Sequence, residues 1–298
     1  MKKILIVVSE WGFWGEELVG PLDVFEAQGY ATTFLTPTGR RPHALPPSMD
    51  PAFIDPPLGK SVTDAAMAEK VRRIDSSDDT RLDRPRTLAG WFPERPYWSG
   101  LDAGGQASDE RPVLRQWEAY YAARARAQAE AVAEFDAVLL VGGSGPMMDM
   151  VNNYRVHDLL LGFLDADKPI AAECYGVACL AQARDYGIRK SIISGKHVTG
   201  HAVEYDYRDN TGVLDPRTGA LLTRADGEWV NLGPPFYTLE YILRDAVGPE
   251  GQFHGNVGHV TSVIVDYPFV TGRSTPDSTL TGEKLVAVLE HGLRRFGW

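Results

Sequence analysis

Apolar and polar positions open the chain with a clear α/β rhythm. Lys3 to Val8 (KILIVV) is a near-continuous, β-branched apolar run, which predicts a strand buried on both faces of a parallel sheet. GEELVGPLDVFEAQG follows, with Leu18, Leu22 and Phe25 at helical spacing and Gly29 as a stop just past the helix end. YATTFLTP then alternates as a second strand. A β-α-β opening of this kind requires a right-handed crossover and sets the class as α/β. From Thr38 to Pro112 the rhythm breaks into Pro, Gly, Asp, Ser and Arg, with the aromatics Trp91, Phe92, Tyr97 and Trp98 among them. The stretch is too long for a plain loop and too aromatic for a disordered linker. It predicts an insertion over 38–112, with partial structure of its own, that forms a partial cap on a single domain spanning 1–298.

Beyond the insertion the rhythm resumes. VLRQWEAYYAARARAQAEAVAEF predicts a long helix over 113–135, and DAVLLVGGSG a buried strand that ends in a glycine-rich turn. A helix is expected over 147–164. KPIAAECYG reads as another strand meeting a sharp turn, GVACLAQARD as helical, and SIISGKHVTGH as a strand pair or a strand and turn. SVIVDYPFVTG reads as a hairpin, and DSTLTGEKLVAVLEHGLRRF as an amphipathic helix over 277–296.

Composition narrows the classes of function. Lys and Arg total 30 against 40 Asp and Glu, a net charge of −10 with no basic cluster, so neither a nucleic-acid surface nor an anionic membrane surface is expected. MKKILIVV faintly imitates a signal peptide, but its apolar run is too short and Glu10 follows at once; a first strand is the better reading. No stretch is long and apolar enough for a transmembrane helix. The only cysteines, Cys174 and Cys179, would lie on neighbouring turns of one helix, poorly placed to pair and at no zinc spacing. A reducing, cytoplasmic location fits.

The chemistry concentrates at Cys174. A strand, then Cys174, then Gly176 opening a helix is the arrangement of a nucleophile elbow, where a tight turn presents the side chain at the strand end. A helix N-terminus there is expected to lower the thiol pKa and to offer free N–H groups to a developing oxyanion. The competing reading is a buried core cysteine. Trp11, Phe13 and Trp14 follow the first strand at its C-terminal end, where α/β sheets bind ligands, so Trp11 and Trp14 could wall a substrate pocket. Packing in the core would account for these aromatics equally well. Glu173, just before the cysteine, could raise the thiol pKa by like charge or bind substrate.

Taken in order, KILIVVSE…GEELVGPLDVFEAQGYATTFLTPTG, DAVLLVGGSG, KPIAAECYGVACLA and VTGRSTPDSTLTGEKLV resemble the ThiJ/PfpI superfamily. HALPPSMDPAFIDPPLGKS is similar to the insert of its larger branch, which holds heat-shock chaperones and glyoxalase III-type enzymes. The resemblance implies a parallel-sheet sandwich of the class I glutamine amidotransferase-like (flavodoxin-like) type. It also implies an acid from the first helix against the cysteine, in a pattern of Glu, three residues, then Pro. Glu17 to Pro21 fits, with Glu16 as the alternative. The glycine pair is implied to supply half of an oxyanion site through Gly143, and the backbone N–H of Tyr175 the other half. The glyoxalase branch usually carries His directly after the cysteine, where this chain has Tyr175. His201 matches the position of a histidine near the cysteine in another branch, with His197 as runner-up. His157, His254 and His259 have no positional support.

Three functions are compatible with these residues. One is a glyoxalase III-like enzyme in which Cys174 adds to an α-oxoaldehyde, with Glu17 and His201 moving protons. A second is a hydratase or hydrolase of an isonitrile, amide or thioester-like molecule. The third is a holdase chaperone or thiol redox sensor. A glutaminase is disfavoured because the C-terminal region lacks a His-x-Glu pair. No dinucleotide fingerprint, phosphate loop or zinc spacing is present, so neither cofactor nor metal is expected. The branch's site of two histidines and a carboxylate has no match here. A small-molecule substrate and, from the resemblance, a homodimer are expected.

Overall fold

The structure is a computed structural model that describes residues 1–55, 59–97, 111–203, 213–222, 238–255 and 262–298. Trp98, His259 and the stretch 98–110 of the insertion lie outside the described residues. Strands of the main sheet are β1 (Lys3–Val7), β2 (Ala31–Thr36), β3 (Arg86–Thr87), β4 (Ala137–Leu140), β5 (Ile170–Glu173), β6 (Val263–Asp266), β7 (Phe269–Gly272) and β8 (Arg295–Phe296). Their order is β8-β6-β7-β5-β4-β1-β2-β3. Pairing is parallel from β7 through β3, and β6 joins β7 and β8 antiparallel. Helices are α1 (Gly15–Ala27), α2 (Ala65–Asp75), α3 (Arg111–Glu134), α4 (Tyr154–Asp165), α5 (Ala178–Gln182), α6 (Leu239–Val247) and α7 (Ser278–His291).

Strand alternation divides the core into two layers. Ile4, Ile6, Leu139, Ala171 and Val270 face one side, where Leu18, Leu22 and Phe25 of α1 and Leu285 and Val288 of α7 cover them. Leu5, Val7, Val138, Leu140 and Ala172 face the other, under Ala127 and Ala131 of α3, Leu159 and Leu160 of α4, and Leu243 of α6. Helices α1 and α7 cross at very short range. A Cβ on Gly20 would lie 2.8 Å from Cβ of Ser278, and one on Gly282 2.7 Å from Cα of Pro21. That contact brings the start of α7 against the middle of α1, and so beside the acids of the first helix.

Several local expectations are corrected. The helix expected over 147–164 is a single turn, Pro146–Asp149, followed by α4, which starts at Tyr154 because Asn153 accepts a hydrogen bond from the Arg155 N–H, 3.0 Å. SIISGKHVTGH follows its strand-and-turn reading, with a turn over 192–195 and His197–Val198 as strand, paired with Gln252–Phe253. The terminal helix stops at His291, where Gly292 adopts φ 63°, and the chain then adds β8 to the sheet edge. Part of the insertion also joins the body of the fold. Arg86–Thr87 extends the main sheet, and Leu88 and Phe92 enter its core. Among the described residues no helix is long and apolar enough to cross a membrane.

Candidate active site

β5 ends at Glu173, and Cys174 follows with φ 54°, a left-handed conformation that costs a non-glycine residue strain. This puts the elbow at the C-terminal edge of the sheet. A 3₁₀ turn, Cys174–Val177, then leads into α5. Close passage of that turn requires Gly176, since a Cβ there would lie 2.8 Å from the carbonyl oxygen of Leu140. The loop after β4 lies directly against the cysteine. A Cβ on Gly142 would meet Oε2 of Glu17 at 2.4 Å, the carbonyl oxygen of Glu173 at 2.5 Å and Cβ of Cys174 at 2.6 Å. Gly143 follows with φ 89°, its backbone packed on Phe13 and Trp14. The backbone N–H groups of Gly143 and Tyr175 both hydrogen-bond the Cys174 sulfur.

The side chain of Glu17 hydrogen-bonds the same sulfur. Pro21 lies inside the same helix and has no N–H to donate to the carbonyl of Glu17 four residues back. Glu16 points elsewhere, to Thr63, Trp14 and Asp64, and burial raises its pKa to about 8. His201 Nδ1 lies 3.4 Å from the sulfur. Burial drives the His201 pKa down to about 3, so the ring is neutral at physiological pH. Tyr175 stacks on that ring, centroids 4.3 Å apart and planes at 25°. His197, the runner-up, instead stacks on Trp298 at 3.5 Å and contacts His254, 2.9 Å between ring nitrogens.

The thiol itself departs from expectation. A low pKa is expected at a helix N-terminus, yet the Cys174 thiol is pushed well up, first by burial and then by the negative charge of Glu17; the two N–H donors only partly oppose this. Dehydration outweighs the donors because Cys174 as a whole residue is only 4% exposed. Glu173 is not open to a substrate pocket either. It is fully buried on the α1/α7 side, where Ser278 Oγ donates to its Oε1 at 2.6 Å, and its pKa is raised well above the carboxylate range by burial and by Glu17. Asp277 continues the network: it accepts the Ser262 N–H and pairs with Arg273 at 3.2 Å. Ser278 and Asp277 lie in VTGRSTPDSTLTGEKLV, a segment that carries the family resemblance but whose spacing assigns them no role. Trp14 is buried with Leu45 and Leu214 and stacks obliquely on Phe53 at 6.0 Å, while Trp11 is half-buried and its carbonyl accepts the Leu214 N–H. Among the described residues no three His, Cys, Asp or Glu side chains converge as metal ligands would.

Comparison with known proteins places the chain in a family and a fold. A family model described as ThiJ/PfpI family-like matches residues 8–199. No curated protein matches the chain. Solved structures that share the fold include the glyoxalase III of Candida albicans, 16% identical with a TM-score of 0.63, covering 97% of this chain and 98% of that one. The Rapid Encystment Protein 24 KDa of Francisella tularensis is 17% identical with a TM-score of 0.62, covering 97% and 99%. A ThiJ/PfpI domain protein of Brachyspira murdochii is 18% identical with a TM-score of 0.50, covering 98% and 97%.

Proposed function

The chain belongs to the ThiJ/PfpI family, and from that premise we propose that it is a cofactor-independent, glyoxalase III-like enzyme whose Cys174 thiol adds to the aldehyde carbon of a small α-oxoaldehyde. The observation that carries this reading is the convergence on one strained cysteine of Glu17, His201 Nδ1 at 3.4 Å, and the N–H groups of Gly143 and Tyr175.

In the resting site the sulfur holds its proton, because burial and Glu17 both disfavour the thiolate. Addition therefore couples carbon–sulfur bond formation to transfer of the thiol proton to Glu17 or to the neutral ring of His201. The carbonyl oxygen takes up the negative charge between the N–H groups of Gly143 and Tyr175, then the proton, giving a hemithioacetal. Moving the C1 proton to C2 gives an α-hydroxy thioester, and water releases the hydroxy acid and restores the thiol. The sum is aldehyde plus water to hydroxy acid, so no external electron carrier is needed. Methylglyoxal with purified protein and no added glutathione is expected to yield lactate. No lactate at high enzyme concentration would remove this reading and leave the hydratase or hydrolase chemistry of the same residues as its replacement.

A further inference from the structure

A cavity of about 340 Å³ lies where Arg95 of the insertion meets the N-terminal half of α4 and the turn after α5. That volume is at the small end of ligand sites. Arg95 and Arg184 are its charged lining residues, and among the described residues no carboxylate lines it. The Arg95 guanidinium sits 4.1 Å over the Tyr154 ring and donates to Tyr186 Oη at 2.8 Å, so it is fixed in place. Beneath it Asp158 is fully buried, and Arg95 (3.3 Å), Arg124 (3.8 Å) and the hydroxyl of Tyr120 share it. Asp185 turns away into its own loop, accepting the N–H groups of Gly187 and Ile188. Arg184 is exposed and makes no ion pair among the described residues. His157 is held neutral by burial while it donates to the carbonyl of Val151. Apolar surface comes from Leu161 and the rings of Tyr154 and Tyr186.

We infer that this cavity binds a small organic carboxylate with a flat apolar body, the carboxylate on Arg184 and Arg95 and the body against Tyr154, Tyr186 and Leu161. The Arg184 guanidinium fork can match a planar carboxylate in a bidentate way, while Arg95, whose Nε and Nη2 already bond Tyr120, Asp158 and Tyr186, adds one donor through Nη1 at little ordering cost. The site is independent of Cys174, and nothing in the reaction above uses it.

Titration of the full chain with sodium benzoate at fixed ionic strength, followed by calorimetry, tests this. Benzoate is expected to bind saturably at one site per chain, with benzamide at least tenfold weaker and inorganic phosphate weaker still. Arg184→Gln, at an exposed position that should not disturb folding, is expected to weaken benzoate about tenfold or more, as loss of a hydrogen bond to a charged group does. Tyr154→Ala should weaken it as well, and prior alkylation of Cys174 should leave it unchanged. Failure to saturate, equal binding of benzamide or phosphate, loss of binding on alkylation, or full binding by Arg184→Gln would each overturn the assignment.

Discussion

Two cysteines five residues apart present a natural comparison. Cys174 and Cys179 are both buried and both unpaired, and burial is the largest cause raising each thiol pKa. Around Cys179 there is little else: it sits inside α5 in an apolar layer, with the charge of Asp149 as its main polar influence. Around Cys174 the backbone is strained, two N–H groups point at the sulfur, and a carboxyl and an imidazole reach it. Burial is therefore common to an inert and a chemically equipped sulfur. What separates them is the turn, because a left-handed residue at a strand end exposes its side chain to donors from neighbouring loops, whereas a helical residue has its own N–H groups committed.

The largest expected effect breaks the comparison outright. Cys174→Ala should abolish turnover of any true substrate, while Cys179→Ala should retain most activity and cost about 1 kcal/mol of stability, the loss of one small buried group. Equal loss of activity in both, measured beside urea unfolding, would mean that Cys174 serves packing. Next in size is His201. Removing a positioned proton carrier costs about 10²- to 10⁴-fold in rate, so His201→Ala should fall within that range, whereas Tyr175→Phe, which keeps the stacking ring and the backbone donor, should stay within about tenfold. If the steady-state kinetics reverse that order, the tyrosine hydroxyl is the proton carrier.

A third substitution gives two readouts of opposite sign. Glu17 raises the Cys174 thiol pKa by its charge and its hydrogen bond. Glu17→Gln removes the charge, so more thiolate exists at a given pH. Iodoacetamide should then label Cys174 about three- to tenfold faster near neutral pH, while turnover falls. Slower labelling would place Glu17 as a stabiliser of the thiolate, contrary to the assigned geometry.

Much of this was legible in the chain. The buried strands KILIVV and DAVLLV announce themselves because strands covered on both faces need apolar residues at every position. The edge strands Arg86–Thr87 and Arg295–Phe296 did not, because two residues carry no period. Strand followed by Cys-x-Gly is enough to locate the elbow. Glu17 and His201 rest on resemblance, since their approach to the sulfur is set by the α1/α7 crossing and by the path of 197–203, which no local pattern encodes. The thiol pKa departs from the motif's expectation for a related reason: the N–H donors are read from the motif, whereas the burial of Cys174 depends on the packed fold.

The smallest expected effect concerns the acid that does not reach the sulfur. Glu16 neighbours Glu17 in α1 but faces the insertion, where Thr63 and Asp64 lie, and Asp64 caps α2 by accepting the Met67 N–H at 2.8 Å. Burial lifts the Glu16 pKa to about 8, and that of Asp149 to about 7 and Asp277 to about 6. A carboxyl whose folded pKa is raised binds its proton more tightly in the folded state. The stability this confers is full below the unfolded value near pH 4 and is lost as pH rises through the folded value. Stability is thus expected to decline between about pH 4 and 8, with the steepest loss near the top belonging to Glu16, whose ionisation would place a second negative charge beside Asp64. Glu16→Gln should match the parent within about 1 kcal/mol at pH 5 and exceed it by about 1–3 kcal/mol at pH 9, a discounted share of the linkage energy. Urea unfolding at both pH values reads this directly, and parallel pH profiles for parent and variant would show that Glu16 is already solvated in the folded chain. Activity at pH 6 should be unchanged in the same variant, which separates the acid facing the insertion from the acid facing Cys174.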